Sequence, residues 1–435
     1  MSIIATLVSL ILLFFAAHKR KNALLIPLVV FLLLWTVILF LSCFNLYGMH
    51  PASNEAYTLI MIMEASFFLG YKIVEWSKDT SSRFNDKYVK HLEFSSIYFY
   101  IIYIIGFVTI IFNIVDLILV LKQYSAGIPM WQIRNWSLQP FGSENPILSR
   151  RSFIEETIRT VLCSPFTTLI HPISCYYLFN GDNKKRKIML MLISIIIIAT
   201  GSLAGGGGRL VFIYYLMCLY FSYKVSKITS ENEIKKNSKK YKRIFKFAIF
   251  VSITSILVYT GIRTGISNTF KQVYTYLAMP PTLLSQWLPL LKVSTHTHGY
   301  LSFFGTHSYL FRFLKMANIG IVPSVYDLSY QYIIQAENFL NIGSGVSNAF
   351  VTPIYYFYLD GGYLFVILAS AFFGIIISYF YTNFRKQINI KSFAIYLLIM
   401  YGILVSFARI QTAIPAYIIS FILVYAIFYK KKKNR

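Results

Sequence analysis

The chain is a succession of apolar runs of about 15 to 25 residues, and the short stretches between them carry most of its charge. A helical run of this length matches the thickness of the hydrocarbon core of a bilayer. The pattern therefore predicts an all-α, polytopic integral membrane protein, with residues 1–435 forming a single transmembrane domain. It predicts eleven membrane-spanning helices, at residues 2–17, 23–44, 56–73, 94–120, 160–179, 188–203, 210–223, 246–260, 362–383, 393–408 and 412–429.

The basic residues indicate how these spans are oriented. Lysine and arginine are enriched in the cytoplasmic loops of membrane proteins, and in this chain one set of alternate loops holds 29 of them against 12 in the other set. We therefore predict an N-terminus outside the membrane and a C-terminus in the cytoplasm. The basic connector 224–245 is then cytoplasmic, and 121–159 and 261–361 are large outer loops. Within the second outer loop, residues 280–292 either re-enter the membrane or lie on its surface.

The composition supports this class of protein. Hydrophobic residues make up 57% of the chain and charged residues only 13%, about half the charged fraction of a soluble protein. The net charge of +25 resides mostly in loops, so it indicates topology and not nucleic-acid binding. The four cysteines lack metal-type spacing, and the histidine pair of "THTHGY" has no recognisable further ligands. We predict no metal and no cofactor.

Arginine is distributed unevenly between the two predicted sides. It accounts for 6 of the 29 basic residues inside but 8 of the 12 outside. A guanidinium group binds phosphate or carboxylate through two parallel hydrogen bonds, which lysine cannot do. The alternative is that these arginines reach into the headgroup layer or pair with Glu144, Glu155 and Glu156. The candidate substrate-binding residues are Arg209, Arg263 and Arg409 at the outer ends of spans, followed by Arg312, Arg150 and Arg151.

The stretch "GSLAGGGGRLVF" at residues 201–212 interrupts two apolar runs on the predicted outer side. Glycines let backbone N–H groups approach an anion closely. The span that follows points its positive N-terminal end outward. Gly207, Gly208 and Arg209 are therefore candidates for binding an anion. The alternative is a flexible turn whose arginine lies among the headgroups.

Three outer residues are candidates for a catalytic base: Asp360, Glu337 and His307. Asp360 opens "DGGYLF" directly before a predicted span, so it is either a general base or a helix N-cap. Within the spans, Glu64 is either the partner of an arginine or a proton site, because ionisable groups in membrane helices are costly. His171 is expected to be a packing residue.

Two stretches resemble the bacterial O-antigen polymerases of the Wzy type, which are oligosaccharide repeat-unit polymerases. "ATGSLAGGGGRLVF" is similar to their turn of small residues followed by arginine, although the glycine run here separates Ser202 from Arg209. "SGVSNAFVTPIYYFYLDGGYLFVILASAFFGIIISYFY" resembles their late signature. The matching positions are Gly201–Arg209, Asn348, Asp360, Gly361, Gly362 and Gly374.

The resemblance implies an enzyme of the bacterial inner membrane. It would join oligosaccharide repeats carried on undecaprenyl pyrophosphate into O-antigen or capsular polysaccharide at the outer face, with Asn348 among the substrate-binding residues. Its partners would be lipid-linked glycans, membrane lipid, a chain-length regulator and a flippase, and not nucleic acid. One alternative is an O-antigen ligase or another glycosyltransferase that uses lipid-phosphate donors, which differs chiefly in its acceptor. The other is a polysaccharide flippase or transporter, but such proteins concentrate charge within their spans and often contain repeated halves.

Overall fold

A computed structural model shows that the described residues are mostly helical, with almost no strands. It describes residues 1–18, 20, 22–77, 96–129, 132–133, 136, 145, 151–181, 183–205, 210–229, 250, 254, 268–316, 318–320, 322–348 and 350–428. Its longer helices are α1 (Ser2–Ala17), α2 (Pro27–Ser42), α3 (Asn54–Ser77), α4 (Ser96–Ser125), α5 (Phe153–Ile158), α6 (Ser164–Asn180), α7 (Lys184–Ala204), α8 (Leu210–Thr229), α9 (Thr269–Ala278), α10 (Pro280–Lys292), α11 (Phe304–Met316), α12 (Ser324–Gln335), α13 (Thr352–Lys386), α14 (Ile390–Leu404) and α15 (Pro415–Ile427).

Shorter elements connect these helices. A π-helical turn, Arg159–Cys163, joins α5 to α6, so the helix around the predicted span 160–179 begins earlier than expected. Three short 3₁₀ turns cover Ala23–Leu25, Leu46–Gly48 and Gln411–Ala413. The strands β1 (Leu340–Asn341) and β2 (Val346–Ser347) pair antiparallel, with Leu340 opposite Ser347 and Asn341 opposite Val346.

Four helices of the described residues, α3, α4, α7 and α13, are long and apolar enough to cross a membrane. Helices α1, α2, α14 and α15 are also apolar but shorter. The predicted all-helical class is therefore confirmed, whereas the count of eleven spans and their orientation stay predictions. The predicted span 246–260 lies almost wholly outside the described residues.

The chain divides into two compact units. The first comprises residues 1–85, 270–386 and 399–418, and the second comprises residues 86–269, 387–398 and 419–435. The first unit contains every predicted base candidate, and the second contains Arg151.

Within the first unit, α3 and α13 approach each other so closely that glycine is required at the contact. A Cβ atom at Gly70 would lie 2.0 Å from the carbonyl oxygen of Ala371, and one at Gly374 would lie 2.3 Å from that of Phe67. Because these neighbours are backbone atoms, no side-chain rotation relieves the overlap. Gly374 of the late signature is thus a packing residue on α13.

Helix α10 forms the segment for which the sequence left two placements open. It packs its apolar side against α2, α3 and α13. Its buried residues are Pro280, Pro281, Thr282, Leu283, Leu284, Trp287, Leu288 and Leu291. The segment 280–292 is therefore an integral part of the first unit, and its depth relative to a membrane stays a prediction.

Helix α13 begins ten residues before the predicted span 362–383 and is broken in the middle. Residues 352–360 are all buried and helical. The chain then leaves helical geometry at Gly361 and Gly362, the second of which has a φ of 65° and a ψ of −153°. Glycine tolerates this conformation without steric penalty. The expected outer loop 261–361 consequently ends in a buried half-helix.

Two sets of contacts in the first unit join residues that are distant in sequence. At the predicted cytoplasmic end, Arg20 donates two hydrogen bonds of 2.8 Å to Glu75, which also accepts one from Lys72. At the predicted outer end, the backbone N–H of Leu46 donates to the Tyr274 hydroxyl at 2.9 Å.

The second unit contains α4 packed on α7, and α6 packed on α7 and α8. His171 of α6 is fully buried, and its Nδ1 lies 2.7 Å from the Ser194 hydroxyl. The rings of Tyr214 and Tyr215 flank it at 5.9 and 5.7 Å. These surroundings are those of a packing histidine.

Candidate functional site

Three predicted site residues that are distant in sequence lie together in the first unit. Arg409 Nη2 is 2.8 Å from Glu337 Oε1. The side-chain amide of Asn348 donates to the backbone carbonyl of Glu337 at 2.9 Å. The side chains of Arg409 and Glu337 are 28% and 29% exposed, so solvent reaches the pair. We call Glu337, Asn348 and Arg409 the arginine cluster.

The ends of four secondary-structure elements position this cluster. Glu337 follows α12, Asn348 follows β2, and Arg409 follows α14. The first residue of α13, Thr352, donates its backbone N–H to the carbonyl of Ala408 at 3.1 Å. The start of α13 is thereby fixed to the residue that precedes Arg409.

Thr352 adopts a backbone conformation that its side chain disfavours. Its φ is +63°, and the residue is fully buried. A β-branched residue in this region is strained, and such strain costs on the order of 1–3 kcal/mol and is concentrated at functional sites. The strained turn adjoins the arginine cluster.

The surroundings of Arg409 keep its guanidinium group charged. Burial lowers the pKa of Arg409, but the neighbouring Glu337 carboxylate and the hydroxyls of Tyr356 and Tyr401 outweigh that effect, so the pKa is raised. Glu337 Oε2 is buried and has no hydrogen-bond partner among the described residues. A guanidinium group has five N–H donors, so pairing through Nη2 leaves donors for a second acceptor. Arg409 therefore pairs with Glu337 and still has N–H donors that an anion could accept.

The contacts of Asp360 differ from those of the helix N-cap that the sequence suggested as one alternative, and its role as a general base stays a prediction. Its Oδ1 accepts hydrogen bonds from the Thr297 hydroxyl at 2.5 Å and from the backbone N–H groups of Gly299 and Leu301 at 2.9 and 3.1 Å. Its Oδ2 accepts one from the N–H of Ser302 at 2.9 Å. These donors belong to a loop some 60 residues away, so the carboxylate does not cap its own helix.

The same contacts argue against Asp360 as a general base. Three of the four donors bind Oδ1 and one binds Oδ2, so hydrogen bonds to loop 295–303 already hold both carboxylate oxygens. The residue is also only 1% exposed. We call loop 295–303 the clamped loop, because the Asp360 carboxylate holds it in place. The geometry therefore favours Glu337 and His307 as base candidates.

His307 lies in the first turn of α11 and is surrounded by aromatic side chains. The rings of Tyr300, Phe311 and Phe304 lie 5.0, 5.3 and 5.5 Å from its own. Its Nε2 is buried without a partner among the residues that the structure describes. Burial lowers the pKa of the imidazole, although the charge of Asp360 opposes this. The ring is therefore neutral at neutral pH and retains a lone pair.

The segment between α14 and α15 connects the arginine cluster to the clamped loop. It contains Arg409, and three residues later Thr412 donates its hydroxyl to the carbonyl of Ser302 at 2.6 Å. A Cβ atom at Gly305 would lie 2.6 Å from the carbonyl oxygen of Thr412. The backbone around Arg409 and Thr412 therefore contacts both the clamped loop and the start of α11, the helix that contains His307.

The remaining predicted residues lie elsewhere. Arg151, in the second unit, donates to Asp116 at 3.1 Å and to Glu156 at 2.9 Å. Arg159 binds the same Asp116 oxygen at 2.7 Å and also pairs with Glu155. Two arginines thus face three carboxylates, a balance that does not attract phosphate, and the expected alternative of pairing with acids applies here. Arg312 is half-buried on α11. Arg150, Arg209, Arg263, Gly207 and Gly208 lie outside the described residues.

Sequence reasoning missed a polar group at the break in α13. Tyr363, the first residue after the two glycines, donates its hydroxyl to Glu55 Oε1 at the start of α3. Lys292, the last residue of α10, is 2.8 Å from the other oxygen of Glu55. These residues are far apart in sequence and each has an ordinary role at a helix end, so no pattern in the sequence identifies them.

Comparison of the chain with protein-family models, with curated proteins and with solved structures found no match. The similarity to O-antigen polymerases therefore rests on the motifs quoted above.

Proposed function

We propose that the chain is a membrane glycosyltransferase of the O-antigen polymerase type. Its substrates would be oligosaccharide repeats carried on undecaprenyl pyrophosphate at the outer face of a bacterial inner membrane. The convergence of Glu337, Asn348 and Arg409 carries the proposal. The polymerase motifs singled out Asn348, the excess of outer arginines singled out Arg409, and Glu337 was a candidate base; all three meet at one partly exposed place.

The chemistry that this function needs matches the residue types present. The hydroxyl group of an acceptor sugar attacks the anomeric carbon of the donor glycan. A carbon–oxygen bond forms there while the bond to the pyrophosphate breaks, and the hydroxyl proton passes to a base. Arg409 would stabilise the charge that develops on the leaving pyrophosphate. Such a reaction needs no nucleotide and no redox cofactor.

The proton acceptor would be Glu337 or His307. Glu337 Oε2 and His307 Nε2 both lack partners among the described residues, whereas both oxygens of the buried Asp360 accept hydrogen bonds. General-base assistance typically contributes ~10²–10⁴-fold. Replacing Glu337 by Gln and His307 by Gln separately, and measuring polymer length, assigns the role to the residue whose loss abolishes polymer.

The surface glycan of a deletion strain tests the proposal. Loss of a polymerase leaves single repeats attached at the surface. Loss of a ligase leaves no repeat attached, and loss of a flippase traps the repeats inside the cell. Either of the last two profiles would refute polymerisation as the function.

Complementation of that strain then tests the site. Arg409→Lys keeps the charge but loses the planar fork, and each lost charge-assisted contact is worth roughly 1.5–3 kcal/mol. We expect activity to fall about ten- to a hundred-fold. Arg385→Lys, at the opposite end of α13, is the matched control and should restore full-length polymer. Wild-type polymer from Arg409→Lys would remove Arg409 from substrate binding.

A further inference from the structure

Three polar side chains meet in the apolar interior of the first unit, away from the arginine cluster. Ser9 of α1, Thr36 of α2 and Glu64 of α3 are 0%, 7% and 0% exposed. Helices α1 and α2 are otherwise apolar over most of their length. A carboxyl group in such a position requires an explanation, because an unpaired buried charge is costly.

The distances between these groups form a continuous chain of hydrogen bonds. Glu64 Oε1 is 2.8 Å from Ser9 Oγ, and Ser9 Oγ is 2.7 Å from Thr36 Oγ1. The Thr36 hydroxyl is 2.7 Å from the backbone carbonyl of Leu32, to which it donates. All three distances are within the normal range for O–H···O hydrogen bonds.

Counting protons along this chain determines the state of the carboxyl group. Three oxygen–oxygen contacts need three protons, one in each. The two hydroxyl groups supply only two, and the Leu32 carbonyl supplies none. If Glu64 were ionised, Ser9 would donate to Glu64 and Thr36 to Leu32. Two oxygens 2.7 Å apart would then face each other without a proton between them. A proton on the Glu64 carboxyl group completes the set.

The charges on the surrounding helices provide no cation to balance an ionised Glu64. Helices α1 and α2 contain no charged residue. On α3 itself, and on α10 and α13 packed against it, the described charges belong to the helix ends, to the break in α13 or to ion pairs. They are Glu55, Lys72, Glu75, Lys292, Asp360, Arg385 and Lys386.

We propose that Glu64 is a proton-binding site, held as a neutral carboxylic acid that donates to Ser9. Ser9 then donates to Thr36, and Thr36 donates to the carbonyl of Leu32. The second carboxyl oxygen, Oε2, is the acid's carbonyl oxygen, and it has no partner among the described residues. The bound proton completes the hydrogen bonds that connect α1 to α2 and α3. This inference stands apart from the proposed glycosyl transfer.

Infrared spectroscopy of the purified full-length protein at neutral pH tests this directly. A protonated carboxylic acid has a C=O stretching band distinct from the bands of a carboxylate. We expect the wild type minus Glu64→Gln difference spectrum to contain the acid band, and we expect that band to shift in D₂O. Carboxylate bands in that difference spectrum would overturn the proposal, whether the charge were bare or balanced by a bound metal cation.

A second variant keeps the test valid if Glu64→Gln does not fold. Ser9→Ala removes the acceptor of the acid proton but leaves the carboxyl group in place. The acid band should then shift to higher frequency relative to wild type instead of disappearing, because the O–H group loses its partner. Unchanged spectra for Ser9→Ala would show that the acid does not donate to Ser9. Thr58→Ala removes another hydroxyl group of α3, one that bonds to the carbonyl of Asn54, and this control should leave the band unmoved.

Discussion

The close crossing of α3 and α13 allows one substitution to be worked through in detail. In Gly70→Ala the new methyl group would lie 2.0 Å from the carbonyl oxygen of Ala371, and also 2.7 and 2.8 Å from its carbonyl carbon and Cα. Ordinary van der Waals contact begins at 3.4 Å. The two helices would therefore have to separate by roughly 1.4 Å at this point, because neither backbone can rotate away.

Such a separation affects more than one contact. A gap of 0.5–1 Å already forfeits about a quarter to a half of each dispersion contact it opens, and Phe67 and Tyr71 are buried on α3 beside the crossing. Overpacking typically costs about 1–3 kcal/mol, and a clash between rigid backbones should lie at the upper end of that range. Thermal or denaturant unfolding of the detergent-purified protein measures the loss.

Gly320→Ala is the matched control, because a Cβ atom at Gly320 meets nothing within 4 Å. The reciprocal change Gly374→Ala should cost a similar amount. Since either methyl group separates the same two helices, the double variant should cost less than the sum of the single variants. Wild-type stability for Gly70→Ala, or equal losses for Gly70→Ala and Gly320→Ala, would refute the packing described here.

Further substitutions probe the clamped loop and its support. Asp360→Asn replaces one acceptor oxygen by an amide N–H₂ group that faces backbone donors such as Ser302, so we expect stability to fall by about 1–3 kcal/mol; unchanged stability would contradict the clamp. Burial lowers the pKa of His307 below its usual 6.5. As the pH falls below that value, the imidazole of the unfolded chain becomes protonated while that of the folded chain stays neutral. The wild type should therefore lose stability relative to His307→Gln as the pH falls below 6.5, and parallel stability profiles would contradict this. Gly305→Ala would bring a methyl group to 2.6 Å from the carbonyl of Thr412, and lowered expression together with lost activity is expected; full activity would show that the support is not rigid.

The helical elements of the chain follow directly from the sequence pattern. Apolar runs predicted α1 and α2 to within a few residues, because a run of that length in a membrane must satisfy its backbone hydrogen bonds internally. The predicted start of the corresponding span, residue 362, was ten residues too late. The sequence "DGG" resembles the boundary between a loop and a helix, but here it marks a break within a helix.

The candidate site was less predictable, because it depends on long-range contacts. The sequence identified Arg409, Glu337 and Asn348 as candidates. It could not predict that they contact one another, because these contacts depend on where three separate elements end. Asp360 illustrates the opposite case. Its partners Thr297 to Ser302 lie about 60 residues away, and no local pattern distinguishes an aspartate that anchors a loop from one that accepts a substrate proton.

Chain elongation by the purified protein tests the central proposal most directly. The protein is reconstituted in liposomes with undecaprenyl-pyrophosphate-linked repeat units as sole substrate, and the products are separated by size. We predict a ladder of polymers that requires no added nucleotide, is strongly reduced by Arg409→Lys and is unchanged by Arg385→Lys. Repeat units that stay single in the presence of folded wild-type protein, or a ladder that Arg409→Lys leaves intact, would contradict the account.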